Sequence, residues 1–171
     1  MQIIAEIPGD IDYEILYELR KASRAIVRNE KDEIALNYLK EEDYYQLPGG
    51  GIEKGENKIS ALRREVKEEV GLSEIEVKSE VGSIIEYRDG FERYDTGQIQ
   101  ISYCYLVEKS GDVSEQNLTR KELSKGLQVE WQSIDQAIIK LSDHDCSDPL
   151  QELIVNRDLA FLQHAKSELF T

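Results

Sequence analysis

Apolar and polar residues alternate in some parts of the chain and recur every three or four residues in others, so the pattern predicts both strands and helices. The clearest alternation is in Gln98–Val107, where every second residue from Ile99 onward is apolar or aromatic. The clearest helical period is in Lys58–Val70, and Gly71 follows it where a left-handed cap is favoured. The other predicted elements are a hairpin within Arg24–Leu39, strands at Tyr44–Leu47, Ile75–Val81, Ile84–Tyr87 and Leu127–Trp131, and a short helix capped by Ser133 that runs through Leu141. A C-terminal helix is predicted over about 149–168, with Asp148 as its cap, Pro149 at its first position, and a buried side formed by Leu150, Leu153, Ile154, Phe161 and Ala165.

Strands and helices follow one another without a regular alternation. That order favours an α+β fold with a mixed sheet over a doubly wound parallel sheet. The chain has 171 residues without an internal repeat or a linker rich in Pro, Gly or Ser, so we expect one domain over residues 1–171. Its longest uncharged stretch, Thr96–Val107, is too short for a membrane-spanning helix, and the segment before Pro8 lacks the basic region of a signal peptide.

Charge and cysteine content narrow the function further. Acidic residues outnumber basic ones by 35 to 21, which gives a formal charge of -14. Such a surface argues against duplex nucleic acid and against anionic membranes, and an anionic small molecule would need a cation beside the carboxylates. Cys104 and Cys146 lack the spacing of a zinc site, so a reduced, cytoplasmic compartment is the simplest interpretation.

One segment carries the candidate chemistry. Three glycines at 49–51 allow the backbone to approach a ligand or ion closely. The helix predicted after them has Glu65, Glu68 and Glu69 at spacings of three and four, which places three carboxylates on one face beside the apolar stripe. Alone, such a face is more often a solvated surface. Together with the glycines it predicts a site for Mg²⁺ or Mn²⁺, which take hard oxygen ligands.

Residues 50–72 resemble the signature of the Nudix hydrolase family, whose members are also called MutT-like. The signature is Gly, five residues, Glu, seven residues, Arg-Glu, an aliphatic residue, any residue, Glu-Glu, any residue, Gly and an aliphatic residue. The matching positions are Gly50, Glu56, Arg64, Glu65, Val66, Glu68, Glu69, Gly71 and Leu72. The resemblance implies an α/β/α sandwich with a mixed sheet between helices. It also implies hydrolysis of a nucleoside diphosphate linked to another moiety, by attack of water on a phosphorus of the pyrophosphate.

The resemblance also implies roles for the matched polar residues. Arg64 corresponds to the arginine that orients the neighbouring glutamates, and Glu56 corresponds to a supporting carboxylate that faces the same cluster. The positions that correspond to metal ligands are Gly50, through its carbonyl, Glu65, Glu68 and Glu69. The expected cofactor is therefore Mg²⁺ or Mn²⁺.

The general base is left open by the sequence. Glu69 is one candidate, and a glutamate from the region before the Trp131 strand is another, as in some family members. Glu115, Glu122 and Glu130 are the residues available there. Glu122 lies in a predicted helical turn that could present it to the site, so it is the preferred one of the three.

The substrate is expected to be a nucleotide. Family members that prefer ADP-ribose often carry a proline between the signature and the later strand, and this chain has none between Leu72 and Trp131. Tyr87, with Arg93 and Tyr94, offers aromatic and cationic contacts for a base and phosphates, which favours a nucleoside triphosphate or dinucleoside polyphosphate. A non-catalytic sensor on the same fold and an isomerase of the isopentenyl-diphosphate type are the alternatives, and a homodimer is compatible with the sequence.

Overall fold

Eight strands and four helices make up the part of the chain that the computed structural model describes, which is residues 1–7, 14–88, 96–145 and 148–170. The strands are β1 (Ile3–Ile7), β2 (Tyr17–Arg28), β3 (Glu33–Leu39), β4 (Tyr44–Gln46), β5 (Gly49–Gly51), β6 (Ile75–Arg88), β7 (Gly97–Lys109) and β8 (Leu127–Ser133). The helices are α1 (Lys58–Val70), α2 (Arg120–Ser124), α3 (Ile134–Ser142) and α4 (Pro149–Leu169).

The strands form one mixed sheet. Neighbouring strands run in the order β1-β6-β7-β2-β3-β4, while β5 pairs with β2 and β8 pairs with β3. The pairs β1–β6 and β2–β7 are parallel and the other pairs are antiparallel. Among the residues described, no helix is both long and apolar enough to cross a membrane.

Helices cover both faces of this sheet. On one face, Leu62 and Val66 of α1 pack in a buried cluster with Ala25 and Val107 of the sheet. On the other face, Phe161 of α4 lies in a second buried cluster with residues of α3 and the sheet. The predicted α+β fold, an α/β/α sandwich with a mixed sheet between helices, is confirmed.

Helix α1 occupies the predicted residues, Lys58–Val70, because both of its ends are capped. The Asn57 side chain accepts hydrogen bonds from the backbone N–H groups of Ile59 and Ser60, at 3.0 and 2.9 Å. Gly71 ends the helix with φ of 77°, in the left-handed region that favours glycine. The apolar stripe between these caps packs on the sheet, which sets the direction of the neighbouring glutamates.

The sheet departs from the sequence prediction in four places. The strand β2 begins at Tyr17, well before the hairpin predicted within Arg24–Leu39. The two strands predicted at Ile75–Val81 and Ile84–Tyr87 are the single strand β6, whose register with β7 shifts near Val77 and near Gly82. Such bulges interrupt the alternation, which explains why the pattern indicated two strands. The glycines predicted as a loop form β5 against β2. The edge strand β1 was not predicted.

Helix α4 begins after the predicted cap, Asp148, and ends one residue beyond the predicted bound. Its buried side was predicted to be an apolar stripe of five residues, namely Leu150, Leu153, Ile154, Phe161 and Ala165. Only Phe161 and Ala165 of these are fully buried. Arg157 and Asp158 are fully buried on the same side. The prediction missed them because a charged residue on a helix is normally exposed.

Candidate active site

Two acidic side chains of α1 are buried and meet a third from α2. Glu65 is 8% exposed and Glu69 is 3% exposed. One carboxylate oxygen from each of these residues, together with one from Glu122, lies within 4.8 Å of the other two. Ionised carboxylates this close repel one another, and a cation held among them would turn the repulsion into attraction. We call these three residues the carboxylate group.

Arg64 connects this group to the glycine strand. Its Nε and Nη2 atoms donate to the two carboxylate oxygens of Glu56, at 3.1 and 3.0 Å. Nη2 also donates to the carbonyl of Gly51 at 2.9 Å, and Nη1 donates to Glu65 at 2.6 Å. The hydrogen bonds from Arg64 are the main cause of the lowered pKa of Glu56. The two-pronged pairing with Glu56 fixes the plane of the guanidinium, which in turn fixes the Glu65 carboxylate.

The glycine strand reaches α1 because it carries no side chains. Gly49 has φ of 132°, and its N–H donates to Oε2 of Glu69 at 2.7 Å. Asn37 of β3 donates to the same oxygen at 2.9 Å. A Cβ atom added to Gly50 would lie 2.6 Å from the carboxyl carbon of Glu65, so a larger residue would displace that carboxylate. The backbone of β5 therefore lies directly against two members of the carboxylate group.

Glu122 joins the group because the segment before α2 is tied to the end of α1. The N–H of Asn117 donates to the Glu68 carbonyl at 2.9 Å, and the Gln116 side chain donates to the Glu69 carbonyl. Glu122 then lies in the first turn of α2, where its Oε2 accepts from the N–H of Thr119 at 2.7 Å. The Thr119 hydroxyl accepts from the Glu122 N–H in return, which completes a capping box. The side chain of Glu122 thus takes part both in the N-terminal cap of α2 and in the carboxylate group with Glu65 and Glu69.

The other candidate glutamates lie elsewhere. Glu115 is exposed, and Glu130 accepts from Lys140 at 2.7 Å and from the Tyr45 hydroxyl at 3.2 Å. Glu68, predicted as a metal ligand, is half-buried with its Oε2 3.6 Å from a guanidinium nitrogen of Arg64, outside the carboxylate group. Of the three candidate bases before the Trp131 strand, the structure therefore brings only Glu122 into that group.

The electrostatics of the buried glutamates fit a hard cation. Burial is the main cause of the raised pKa of Glu69, which reaches about 8 although the N–H of Gly49 opposes the shift. Burial likewise raises the pKa of Glu65, against the opposing effect of Arg64. A bound cation would favour the ionised form of both groups. The donors here are all oxygen atoms, the ligand type that Mg²⁺ and Mn²⁺ prefer.

The raised pKa of Glu69 predicts how the stability of the metal-free protein depends on pH. The unfolded chain releases this proton near pH 4.5 and the folded chain retains it to about pH 8, so the folded state binds more protons in between. Protonated Glu69 therefore contributes fully to the free energy of unfolding below pH 4.5, and this contribution is lost as pH rises to about 8. Between these two values the free energy of unfolding falls by about 1.4 kcal/mol per pH unit.

Urea unfolding in the presence of a chelator, at pH 5, 6.5 and 8, measures this slope. Glu69→Gln should flatten it and should make the metal-free protein more stable than the parent at pH 8. Equal slopes in the two proteins would show that Glu69 retains no proton in the folded state.

The predicted substrate-binding residues lie apart from the carboxylate group. Gly50 of β5 is in register with Ser23 of β2, which is in register with Tyr103 of β7 and, through it, with Ser83 of β6. Tyr87 therefore lies three strands away from Gly50 and four residues further along β6. At usual strand spacings and rise this separation is roughly 20 Å. Arg93 and Tyr94 lie outside the described residues. Contact with Tyr87 therefore requires an extended substrate.

An open cleft of about 690 Å³ lies beside α2 and is lined by Glu115, but by none of the three glutamates of the carboxylate group. Leu123, which follows Glu122, and Val70, which follows Glu69, form part of its wall, and Trp131 contributes an aromatic side chain. This volume lies within the range of small-molecule sites. The cleft is thus large enough to admit a nucleobase.

Three side chains that organise the site were missed by the sequence prediction. They are Asn37, which donates to Glu69, Arg24, which donates to the Gly49 carbonyl, and Asp158, which accepts from the N–H of Leu47. Asn37 interrupts the apolar segment from Ile34 to Leu39, whereas Arg24 follows Ser23, and Asp158 follows Asn156 and Arg157. A polar residue at a position that the period assigns to the core is the signal that could have indicated them.

The fold and the site together define an α/β/α sandwich protein in which a buried acidic helix lies against a glycine strand. A family model described as the NUDIX domain matches residues 18–151 of the chain. The match covers most of the sequence, and the chain belongs to the NUDIX family. The predicted family is therefore confirmed.

Among curated proteins, the chain is similar over short segments to several RNA pyrophosphohydrolases. It is 44% identical to the one from Ruthia magnifica subsp. Calyptogena magnifica over 48 residues, which are 28% of this chain and 27% of that protein. It is 28% identical to the one from Pelagibacter ubique over 78 residues, which are 44% of this chain and 49% of that protein. The matches thus span between about a quarter and a half of the relatives.

Solved structures show the same fold over nearly the full length. The MutT protein from Methanosarcina mazei Go1 has a TM-score of 0.55 at 20% identity, and the match covers 90% of this chain and 97% of that one. The Ap4A hydrolase of C. elegans has a TM-score of 0.56 at 15% identity, with 89% and 99% covered. At these identities the likeness concerns the fold alone.

Proposed function

We propose that this chain is a metal-dependent hydrolase that cleaves a phosphoric anhydride of a nucleotide-type substrate by attack of water on phosphorus. The observation that carries the proposal is the meeting of Glu65, Glu69 and Glu122 beside Gly50. Family membership and the names of the similar proteins support the same reaction class.

In this proposal Mg²⁺ or Mn²⁺ would be held by the Gly50 carbonyl, Glu65, Glu68 and Glu69. When bound, the ion neutralises phosphate charge and lowers the pKa of the attacking water. Arg64 keeps Glu65 in place through its pairing with Glu56.

Proton transfer is assigned to Glu122. Its carboxylate lies in the carboxylate group but is only half-buried, so it has access to the water that loses a proton. Glu69 is the alternative base, but its Oε2 already accepts two hydrogen bonds from the protein. Glu69 is therefore better suited to holding the ion.

The two alternative functions are less well supported. A sensor that binds nucleotide without turnover would not need the carboxylates that this chain retains. An isomerase would need a reactive cysteine near the site, whereas Cys104 is fully buried in the core cluster on the α4 side of the sheet and burial raises the pKa of its thiol. Hydrolysis is therefore the function that the site supports best.

The substrate is proposed to be a nucleoside triphosphate, a dinucleoside polyphosphate or another 5′-polyphosphorylated nucleotide, in preference to ADP-ribose. The similar proteins named RNA pyrophosphohydrolase support long, anionic substrates of this kind. A substrate of that length could extend from the carboxylate group to Tyr87.

Cleavage assays with four substrate types test the proposal: nucleoside triphosphates, diadenosine polyphosphates, 5′-triphosphorylated single-stranded RNA and ADP-ribose. We expect activity that requires Mg²⁺ or Mn²⁺ and rises at alkaline pH. Tyr87→Ala should lower kcat/KM for the diadenosine substrate about tenfold, since stacking on an aromatic ring contributes about 1–3 kcal/mol per base.

Trp131→Leu serves as the comparison variant for this assay. If it lowers kcat/KM while Tyr87→Ala does not, the base lies in the cleft beside α2 rather than near Tyr87. Full activity after thorough chelation would contradict the metal requirement. Nucleotide binding without turnover would favour the sensor.

The remaining expectations stay predictions. We expect a single domain, a cytoplasmic location and no binding of duplex nucleic acid, and a homodimer remains compatible with the sequence. The strongly negative charge supports the exclusion of duplex nucleic acid.

A further inference from the structure

Helix α4 buries an ion pair whose acidic member holds the backbone that leads into the glycine strand. Arg157 and Asp158 are both 0% exposed. Oδ2 of Asp158 accepts from the backbone N–H of Leu47 at 2.8 Å, and Oδ1 accepts from Nε of Arg157 at 2.8 Å. A buried carboxylate is costly unless it is paired and hydrogen-bonded, and each oxygen of this one has a partner.

The basic member of the pair is held from the sheet. Nη1 of Arg157 lies 3.6 Å from Oε2 of Glu86 on β6. Glu86 also accepts from Arg88 at 3.0 Å and from Gln100 at 2.9 Å. Burial alone would raise the pKa of Glu86, but the facing Arg157 and Arg88 lower it. Asp158 thus lies between Leu47 and Arg157, whose guanidinium is within ion-pair distance of Glu86 although its Nη1 and Nη2 atoms make no hydrogen bond with the described residues.

Leu47 opens the segment Leu47–Gly51, which is held from three directions. Its own N–H is bound by α4. Two residues later, the N–H of Gly49 donates to Glu69 of α1, and its carbonyl accepts from Arg24 of β2. The contact with α4 joins residues 111 positions apart in the sequence. A shift at Leu47 would therefore move the donor that Glu69 depends on.

We propose that Asp158 is a positioning residue of the candidate metal site. It fixes the start of the Leu47–Gly51 segment, and so it keeps the Gly49 N–H and the Gly50 carbonyl in register with Glu69 and Glu65. The inference rests on the proposed function, since it assigns α4 to the support of the same site. It also explains why an ion pair, rather than an apolar stripe, occupies the centre of the buried side of α4.

Asp158→Asn tests the inference in the full chain. The N–H of Leu47 and Nε of Arg157 donate to different oxygens of Asp158, and the amide replaces one of these oxygens with an NH2 group that cannot accept. We expect the dissociation constant for Mn²⁺ alone, measured by calorimetry, to rise about 10- to 100-fold, the usual effect of losing a partner behind a metal ligand. Amide hydrogen exchange at Gly49 and Gly50 should become at least about tenfold faster, while α1 keeps its protection.

Asp148→Asn is the matched control. It makes the same chemical change on the same helix, at an exposed N-cap whose carboxylate accepts from the Leu150 and Gln151 N–H groups. It should leave Mn²⁺ affinity and exchange in the glycine strand unchanged. If Asp158→Asn does not fold, Asp158→Glu retains the charge between the arginines but displaces the carboxylate by one methylene, and the same two losses are expected.

The outcomes separate the inference from the proposed function. Mn²⁺ affinity and exchange rates that match the parent within about twofold in a folded Asp158 variant overturn the inference and leave the function standing. If the parent itself binds no Mn²⁺, the proposed function fails. The exchange rates then still decide whether Asp158 orders the glycine strand.

Discussion

Glu69→Gln is expected to reduce kcat at least about 100-fold, which corresponds to about 2.7 kcal/mol of barrier, without loss of the fold. The glutamine oxygen can still accept from Gly49 and Asn37, so the shape and hydrogen bonds of the site are retained. The negative charge that would hold the ion is lost. Because the carboxylate is buried and its pKa is raised to about 8, the variant should also be the more stable protein at pH 8 without metal.

Gain of stability with loss of activity is the signature that separates a functional carboxylate from a structural one. Steady-state kinetics at saturating Mg²⁺ and urea unfolding measure the two effects. Glu74→Gln, an exposed glutamate just beyond α1, is the control and should change neither quantity. A loss of kcat below about tenfold in Glu69→Gln would argue that Glu69 is not a metal ligand.

Glu122→Gln is expected to lower kcat by about two orders of magnitude, the usual contribution of a general base. Glutamine is accepted at this position of a capping box, so α2 and its contact with Thr119 should persist.

Thr119→Val separates the two roles of Glu122. It removes the hydroxyl that accepts from the Glu122 N–H, at a cost of about 1 kcal/mol to the stability of α2, but it retains the carboxylate. We expect a small effect on kcat. If Thr119→Val is as inactive as Glu122→Gln, Glu122 acts through the cap. If Glu122→Gln loses less than about tenfold, Glu69 becomes the assigned base.

Local patterns in the sequence were sufficient for the elements whose signals lie within a few residues. The bounds of α1 follow from Asn57, the apolar stripe and Gly71, and α4 follows from Asp148 and Pro149. The strand β6 was split in the prediction because its register shifts interrupt the alternation. The edge strand β1 escaped because its segment showed too weak a pattern.

The candidate site likewise divides into features that local sequence patterns predict and features that only the folded chain brings together. By itself, the sequence determined the family, the α/β/α fold, the helix that carries Glu65, Glu68 and Glu69, and a short set of candidate bases. The α/β/α fold was implied by the resemblance to the family, whereas the signature, the helix and the candidate bases depend on spacing along one segment, which is local. Only the tertiary structure decided that Glu122, rather than Glu115 or Glu130, joins Glu65 and Glu69.

Tertiary structure also decided which polar residues support the site. Asn37, Arg24 and Asp158 reach it from β3, β2 and α4, and each is a buried polar residue whose partner lies on another element. The physical reason is that burying a polar group is favourable only with a partner, and those partners lie 25 to 111 positions away in the chain. No periodic pattern records contacts between residues so far apart.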